Sequence, residues 1–470
     1  MMPLQKIPKF LLSLLPVLLV MNACTNSGTK KETLSFEQGI DNERKLNIIL
    51  FFVDDLGWAD LGYQDSTYYT PNIDKLKTES TYFSNCRITT PTCSPSRGTL
   101  LTGRHAVDLE LVRHIPNYPE GEKYNYWKKD PAQMPSINWL KPGQVTYAER
   151  LAQLGYFNKF IGKWHLGEEE QYMPGQQGFD DTFSATPYGA PAHYYPPHFQ
   201  EQRTKGMDTT GMYLTDSLTS HAVKFIQNYD QQKPFMLSMW YYNVHSPHHG
   251  RTDWLDYYLK RGLKGKKANY AAQVSTMDES VGKILQSLKD KEIEEETIIL
   301  FLSDQGGAFG NGPLKGGKYD NTLCEGGTRV PLLIKHPDLE KPFENSTPVT
   351  SADIFPTLLQ WADGEAAPSD SLYGTSIHAL SLSEDATLPT RTFISYRSYE
   401  DQYASVYDGR HKLITYRSGA QELFDLLEDI GEQNNLAESK PNVINKLSRK
   451  LQEWEKERDI RKYSEIENTK

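Results

Sequence analysis

Residues 46–53 (Leu-Asn-Ile-Ile-Leu-Phe-Phe-Val) form an almost unbroken aliphatic and aromatic run, cut off abruptly by Asp54-Asp55-Leu56-Gly57. A strand with one wet face alternates polar with apolar residues. One that does not alternate is covered on both faces, as in the interior of a mostly parallel sheet sandwiched by helices. Residues 235–242 (after Lys233-Pro234) and 297–302 read the same way, and 156–161 reads as a shorter strand. Helical stretches lie between them. One spans 146–154, with a Thr146–Glu149 capping box and a stop at Gly155; another is the long segment 268–290. Alternating buried strands and helices predict an α/β sandwich around a central mixed sheet.

Each strand ends in reactive residues, on the edge where open α/β sheets bind their ligands. Asp54 and Asp55 repel one another and call for a cation, and hard oxygen donors favour Ca²⁺ or Mg²⁺. The 156–161 strand runs into Gly162-Lys163-Trp164-His165-Leu166-Gly167. Two residues apart on extended chain, Lys163 and His165 share a face, which puts a fixed cation beside a titratable base. The 235–242 strand ends in Asn243-Val244-His245-Ser246-Pro247-His248-His249, and the 297–302 strand in Ser303-Asp304-Gln305-Gly306-Gly307. Further on, glycines flank Lys318, and Glu325-Gly326-Gly327-Thr328-Arg329-Val330-Pro331 follows. In Thr92-Cys93-Ser94-Pro95-Ser96-Arg97 the chain enters a helix near Ser94 or Pro95 and leaves it near Gly103. That puts Cys93 at or just before a helix N-terminus, a site suited to anions, with Arg97 one turn on along the same face.

The string Cys-x-Pro-Ser-Arg followed by Leu-x-Thr-Gly-Arg (Cys93 to Arg104) resembles the signature of the type I sulfatases, whose cysteine a maturation enzyme oxidises to formylglycine. Gly-Lys-Trp-His-Leu-Gly resembles the second motif of that family. Asp-Asp-Leu-Gly ahead of Thr70-Pro71-Asn72-Ile73-Asp74 is similar as well, and the likeness extends over nearly all the chain beyond its first residues. The resemblance implies an alkaline-phosphatase-like sandwich with a small C-terminal α+β subdomain. It implies one Ca²⁺ held by Asp54, Asp55, Asp304, Gln305 and residue 93, and a hydrated aldehyde at Cys93 that attacks sulfur with help from Asp304. Arg97, Lys163 and Lys318 would balance the sulfate. His245 would protonate the leaving oxygen and His165 would take the proton that expels sulfate, though the two histidines are interchangeable on sequence grounds. Gln305 stands where the family usually has asparagine, and Lys315 where arginine is common. Two rivals follow: a phosphonate or phosphodiester hydrolase of the same superfamily, and a non-catalytic glycan-binding lipoprotein that never matures Cys93.

Lys6 and Lys9, the apolar run 10–21 and Asn22-Ala23-Cys24 read as a leader too short to remain across a bilayer. The expected organisation is a lipoprotein signal at 1–23, a lipid on Cys24, a tether at 24–43, a catalytic domain at 44–385 and a C-terminal subdomain at 386–470. Short strands at 391–396, 404–407, 411–416 and 422–426 and a helix at 442–456 make up the last part. Localisation follows as an exported lipoprotein of a Gram-negative bacterium, on the outer membrane facing the periplasm and touching the membrane only through its lipid. An ordinary secretory signal is the alternative. The chain's net charge of −10 excludes nucleic acid as a partner and leaves a sulfated substrate to be held by local cations. Cys86 and Cys324 remain, free or paired. The aromatic- and histidine-bearing loops at 106–141 and 172–199, with Tyr188, His193, His248, His249 and Arg397, are the candidate contacts for a sulfated glycan. An algal polysaccharide such as ulvan, carrageenan or fucoidan, or a glycosaminoglycan, suits them.

Overall fold

The computed structural model describes residues 45–116, 136–199, 211–364, 372–397 and 401–460. The leader at 1–23, Cys24, the tether and part of the loop at 106–141 lie outside the described residues. In chain order the strands are β1 (Asn47–Val53), β2 (Thr81–Arg87), β3 (Phe157–Lys163), β4 (Asp181–Thr186), β5 (Phe235–Trp240), β6 (Thr297–Ser303), β7 (Arg329–Lys335), β8 (Glu344–Asn345) and β9 (Val349–Thr350), then β10 (Phe393–Tyr396), β11 (Gln402–Tyr407), β12 (His411–Tyr416) and β13 (Gln421–Asp425). The helices are α1 (Pro71–Thr78), α2 (Cys93–Thr102), α3 (Tyr147–Gln153), α4 (Leu214–Asn228), α5 (Thr252–Lys260), α6 (Gly265–Asp290), α7 (Glu325–Thr328), α8 (Ile354–Asp363), α9 (His378–Leu382) and α10 (Pro441–Glu457).

The main sheet runs β4-β3-β5-β1-β6-β7-β2-β8, with β9 also paired to β2. From β4 to β6 every pairing is parallel, and β7 is antiparallel to both of its neighbours. β1 lies between β5 and β6, Ile48 opposite Met236 and Ile298. Its side chains alternate between two cores. Ile48, Leu50 and Phe52 pack with Leu100 and Leu101 of α2, Leu151 of α3 and Leu358 of α8. Ile49, Phe51 and Val53 pack with Leu218 of α4 and Val274 and Ile284 of α6. Apolar residues at both parities are therefore required, which is why the run shows no alternation.

The region predicted as loop at 172–199 contains β4. An edge strand whose one large apolar side chain is Phe183 has no run for sequence to display. β3 extends past the predicted end to Lys163, through Gly162 at φ +110°. A Cβ on Gly162 would stand 1.8 Å from the Trp240 carbonyl oxygen, so only glycine lets β3 lie against β5 there. Gly162→Ala is expected to cost about 3 kcal/mol in urea unfolding. Gly143→Ala, with no heavy atom near the added methyl, should leave the midpoint unchanged; equal effects would refute the packing argument.

β10 to β13 make a separate four-stranded antiparallel sheet. Leu447, Leu451 and Trp454 of α10 cover it, packing on Ile394, Val406, Leu413 and Leu423. The thiols of Cys86 and Cys324 are buried and free, so they form no disulfide in the structure. Among the described residues, no helix is long and apolar enough to cross a membrane.

Candidate active site

Parallel pairing brings the carboxyl ends of β3, β5, β1 and β6 to one edge. β7 runs the other way, so the segment before it, with α7 and Lys318, reaches the same edge, and β2 delivers α2 there. Backbone bonds lock the strand ends together: Asp54 N donates to Asn243 O (2.8 Å) and Asp304 N to Val53 O (3.0 Å). The helix at Cys93 begins one residue earlier than Ser94 and ends, as expected, at Gly103 in the left-handed conformation.

Three carboxylates meet three cations here, all nearly buried. Lys163 Nζ donates to Asp54 Oδ2 at 2.6 Å. Arg97 donates to Lys163 O (2.9 Å) and Asp304 Oδ2 (3.1 Å) and lies 3.5 Å from Asp54 Oδ1. Lys318 pairs with Asp55, whose Oδ1 also accepts from Gln305 Nε2 at 2.6 Å. Burial works against the ionised form of Asp54, yet Lys163, His245 and Arg97 hold it below the usual carboxylate range. Asp304 goes the other way, pushed well up by burial and by the charge on Asp54. Burial and mutual repulsion thus set the two carboxyls apart, with Lys163, His245 and Arg97 favouring the charge on Asp54.

Cys93 is 6 % exposed, and its Sγ accepts from Gln305 Nε2 at 3.3 Å. Burial, opposed by Lys163 and reinforced by the surrounding carboxylates, pushes its thiol up to about 12. His245 Nδ1 faces Ser246 O at 2.6 Å, so Nδ1 carries hydrogen and Nε2, 3.7 Å from Asp55 Oδ2, is the nitrogen turned to the acidic cluster. Burial and Lys318 lower it to about 4. The extended chain expected from Lys163 to His165 stops at Lys163, because His165 sits at φ +58°. Its Nε2 donates to Ile115 O at 2.7 Å, while Nδ1 is buried with no hydrogen-bond partner. Burial and Lys163 keep the ring neutral. Asp55 is also left-handed, at φ +62°. Two non-glycine residues in this sparsely populated region, both at the strand edge, mark it as a place where backbone cost is borne for geometry.

A sulfatase family profile matches residues 46–364, more than half of the chain. The chain belongs to the sulfatase family. A second profile, N-sulphoglucosamine sulphohydrolase, C-terminal, matches 317–457. Human N-acetylgalactosamine-6-sulfatase is 30 % identical over 346 residues, 69 % of this chain and 63 % of the relative. The chain therefore spans less than two thirds of that protein. A sulfatase of Formosa agariphila is 28 % identical over 522 aligned positions, 93 % of this chain and 92 % of its own. The solved structure of Ps i-CgsB in complex with k-i-k-neocarrahexaose superposes with a TM-score of 0.76 at 27 % identity, covering 90 % of this chain and 94 % of that one.

Against that family background, the oxygen donors suit a hard divalent cation. Asp54 Oδ1 is buried without a hydrogen-bond partner. Ligand atoms of Asp54, Cys93 and Asp304 lie within 4.8 Å of one another, as do those of Asp55, Cys93 and His245. Gln305 turns its amide nitrogen to Asp55 and Cys93; half a turn of that amide presents its oxygen in the same place. Asp54, Asp55, Asp304 and Gln305 would hold the ion, beside residue 93.

The expected glycan contacts separate into two groups. His193 is exposed and stacks on half-buried His249, with ring centroids 5.5 Å apart. His248 packs between Tyr270 and Phe309, and Tyr188 stacks on Phe199. Arg397 departs from the expectation: it is 3 % exposed and its guanidinium donates to Thr322 Oγ1. It braces the loop after Lys318 and presents no charge to solvent. One residue escaped the sequence reading altogether. Half-buried His114 is lowered to about 4 by burial and by neighbouring Lys318, Arg113 and Lys163. Ile115, beside it, is tied by its N–H to Ser94 Oγ (3.0 Å) and by its carbonyl to His165. No spacing in that aperiodic stretch could have revealed it.

Proposed function

We propose that this chain is a sulfatase that releases sulfate from a sulfated polysaccharide or its oligosaccharides, with Cys93 matured to formylglycine and Ca²⁺ at the acidic cluster. The observation that carries this reading is the setting of Cys93. Its thiol is buried, held protonated and ringed by carboxylates, which suits a residue converted to an oxygen nucleophile and does not suit a thiolate. A bound divalent cation would withdraw charge from a sulfate oxygen. With the carboxylates engaged, Lys163 and Lys318 are released from Asp54 and Asp55 to meet an anionic substrate, and Arg97 keeps residue 93 in line. His245 Nε2, at the rim and 16 % exposed, faces the departing sugar oxygen and would donate to it once bound anionic substrate, by offsetting Lys318, raises the ring from about 4 so that Nε2 takes up a proton. His165 Nδ1, on the Lys163 and Arg97 side, is the base. The N-acetylgalactosamine-6-sulfatases and the carrageenan-oligosaccharide complex among its relatives support a glycan substrate. Export as a lipoprotein with lipid on Cys24 belongs to the same proposal.

The test is sulfate release by protein co-produced with a formylglycine-generating enzyme. The panel holds carrageenan, ulvan and fucoidan oligosaccharides and sulfated glycosaminoglycan disaccharides, with an aryl phosphate diester alongside. Hydrolysis of at least one sulfated sugar, and not of the diester, is expected; the reverse pattern refutes the reading. Dialysis against EDTA should lower kcat at least about 10²-fold, with recovery on adding Ca²⁺. Full activity after metal removal would overturn the metal assignment.

A further inference from the structure

Tyr319 directly follows Lys318 and is 64 % exposed, more than any other aromatic side chain among the described residues. Single exposed apolar residues on flexible tips need no explanation. This one is not on a loosely held tip. Lys318 N donates to Gly307 O (3.0 Å), Gly317 N to Asp320 O (2.9 Å), Gly326 N to Lys315 O (2.8 Å) and Cys324 N to Asn321 O (2.8 Å). These bonds pin the loop to the end of β6 on one side and to α7 on the other. Lys318 Nζ, which pairs with Asp55 inside the site, lies 5.3 Å from the centroid of the Tyr319 ring. The backbone that carries the ring is thus held, and the ring is a flat apolar surface between the site's cation and solvent, within the width of one sugar ring of that ammonium.

We propose that the Tyr319 ring is the platform on which the sugar bearing the sulfate stacks. The proposal rests on the sulfatase reading above. With the sulfate among Lys318, Lys163 and Arg97, the esterified sugar extends toward solvent past the exposed Tyr319 ring beside Lys318. The C–H face of a pyranose packs on an aromatic ring, while its hydroxyls remain free for polar groups of the site. A rigid ring loses little conformational entropy on binding, so the contact contributes to affinity and orientation without adding to the chemistry.

The experiment compares mature wild type, Tyr319→Phe and Tyr319→Ala on whichever oligosaccharide of the panel the wild type hydrolyses, with inorganic sulfate as competitive inhibitor. Tyr319→Ala should raise KM about three- to tenfold, with kcat within about twofold and the inhibition constant of sulfate unchanged. Tyr319→Phe, which keeps the face, should behave as wild type. An unchanged KM in Tyr319→Ala, or an inhibition constant for sulfate that rises in step with KM, overturns the proposal. The second outcome means that the loop and Lys318 have moved. A wild type active on no sulfated sugar overturns the underlying reading, and the proposal with it.

Discussion

Replacing Cys93 by alanine is expected to abolish sulfate ester hydrolysis, lowering kcat by at least about 10³-fold, because removal of a nucleophile leaves only what binding and electrostatics contribute. The unfolding midpoint should stay close to that of wild type, since Sγ accepts a long contact from Gln305 Nε2 at 3.3 Å and little else holds it. The sharper comparison is with wild-type chain produced without a maturation enzyme. A thiol that burial and the surrounding carboxylates push well up from its ordinary value is scarcely ionised at pH 7. Unmatured wild type should therefore be as inactive as Cys93→Ala. Peptide mass spectrometry across residue 93 should show thiol-to-aldehyde conversion in the active preparation alone. Full activity from a chain whose Cys93 is unmodified would sink the oxygen-nucleophile mechanism.

The sequence made the sheet legible because its central strands must be apolar at both parities, and β1, β5 and β6 are. The strand ends were legible for a related reason: Asp54, Lys163, His245 and Asp304 each stand within a few residues of a buried run, so local order places them on one edge. What remained hidden depends on contacts far apart in the chain or on faces with little apolar content. β4 needed only Phe183. Arg397 looked like a surface cation but finds its partner in Thr322, in a different sheet's loop. The bend at His165 could not be read from spacing, because Lys-x-His is compatible with either an extended or a left-handed residue. Gly189 supports that bend, since a Cβ there would stand 2.5 Å from His165 Cε1, yet nothing in its own neighbourhood marks it.

Glu325 is the strongest instance of long-range dependence, and its neutralisation should be the most destabilising single change in the chain outside the apolar cores. Its carboxylate is fully buried and accepts from Arg87 Nη2 (2.5 Å), Arg329 Nε (2.7 Å) and Lys412 Nζ (2.9 Å). Lys412 comes from β12 and reaches Glu432 as well, at 3.0 Å, while Glu432 accepts from Glu325 N at 2.7 Å. The second sheet is thereby fastened to the start of α7. Gly326 and Gly327 follow at once, holding Lys315 and Gly306, so the same knot sets the loops of Lys318 and Gln305. Glu325→Gln takes the carboxylate away from three buried cations, of which Lys412 keeps Glu432, and should cost about 3–5 kcal/mol. Lys412→Met removes a cation instead. Glu325 keeps both arginines, and Glu432, already raised by burial, takes up a proton, so the loss should be nearer 1–3 kcal/mol. Urea midpoints measured on both variants test the ordering. A larger loss in Lys412→Met would show that fastening the two sheets, and not compensating buried positive charge, is the chief role of the cluster.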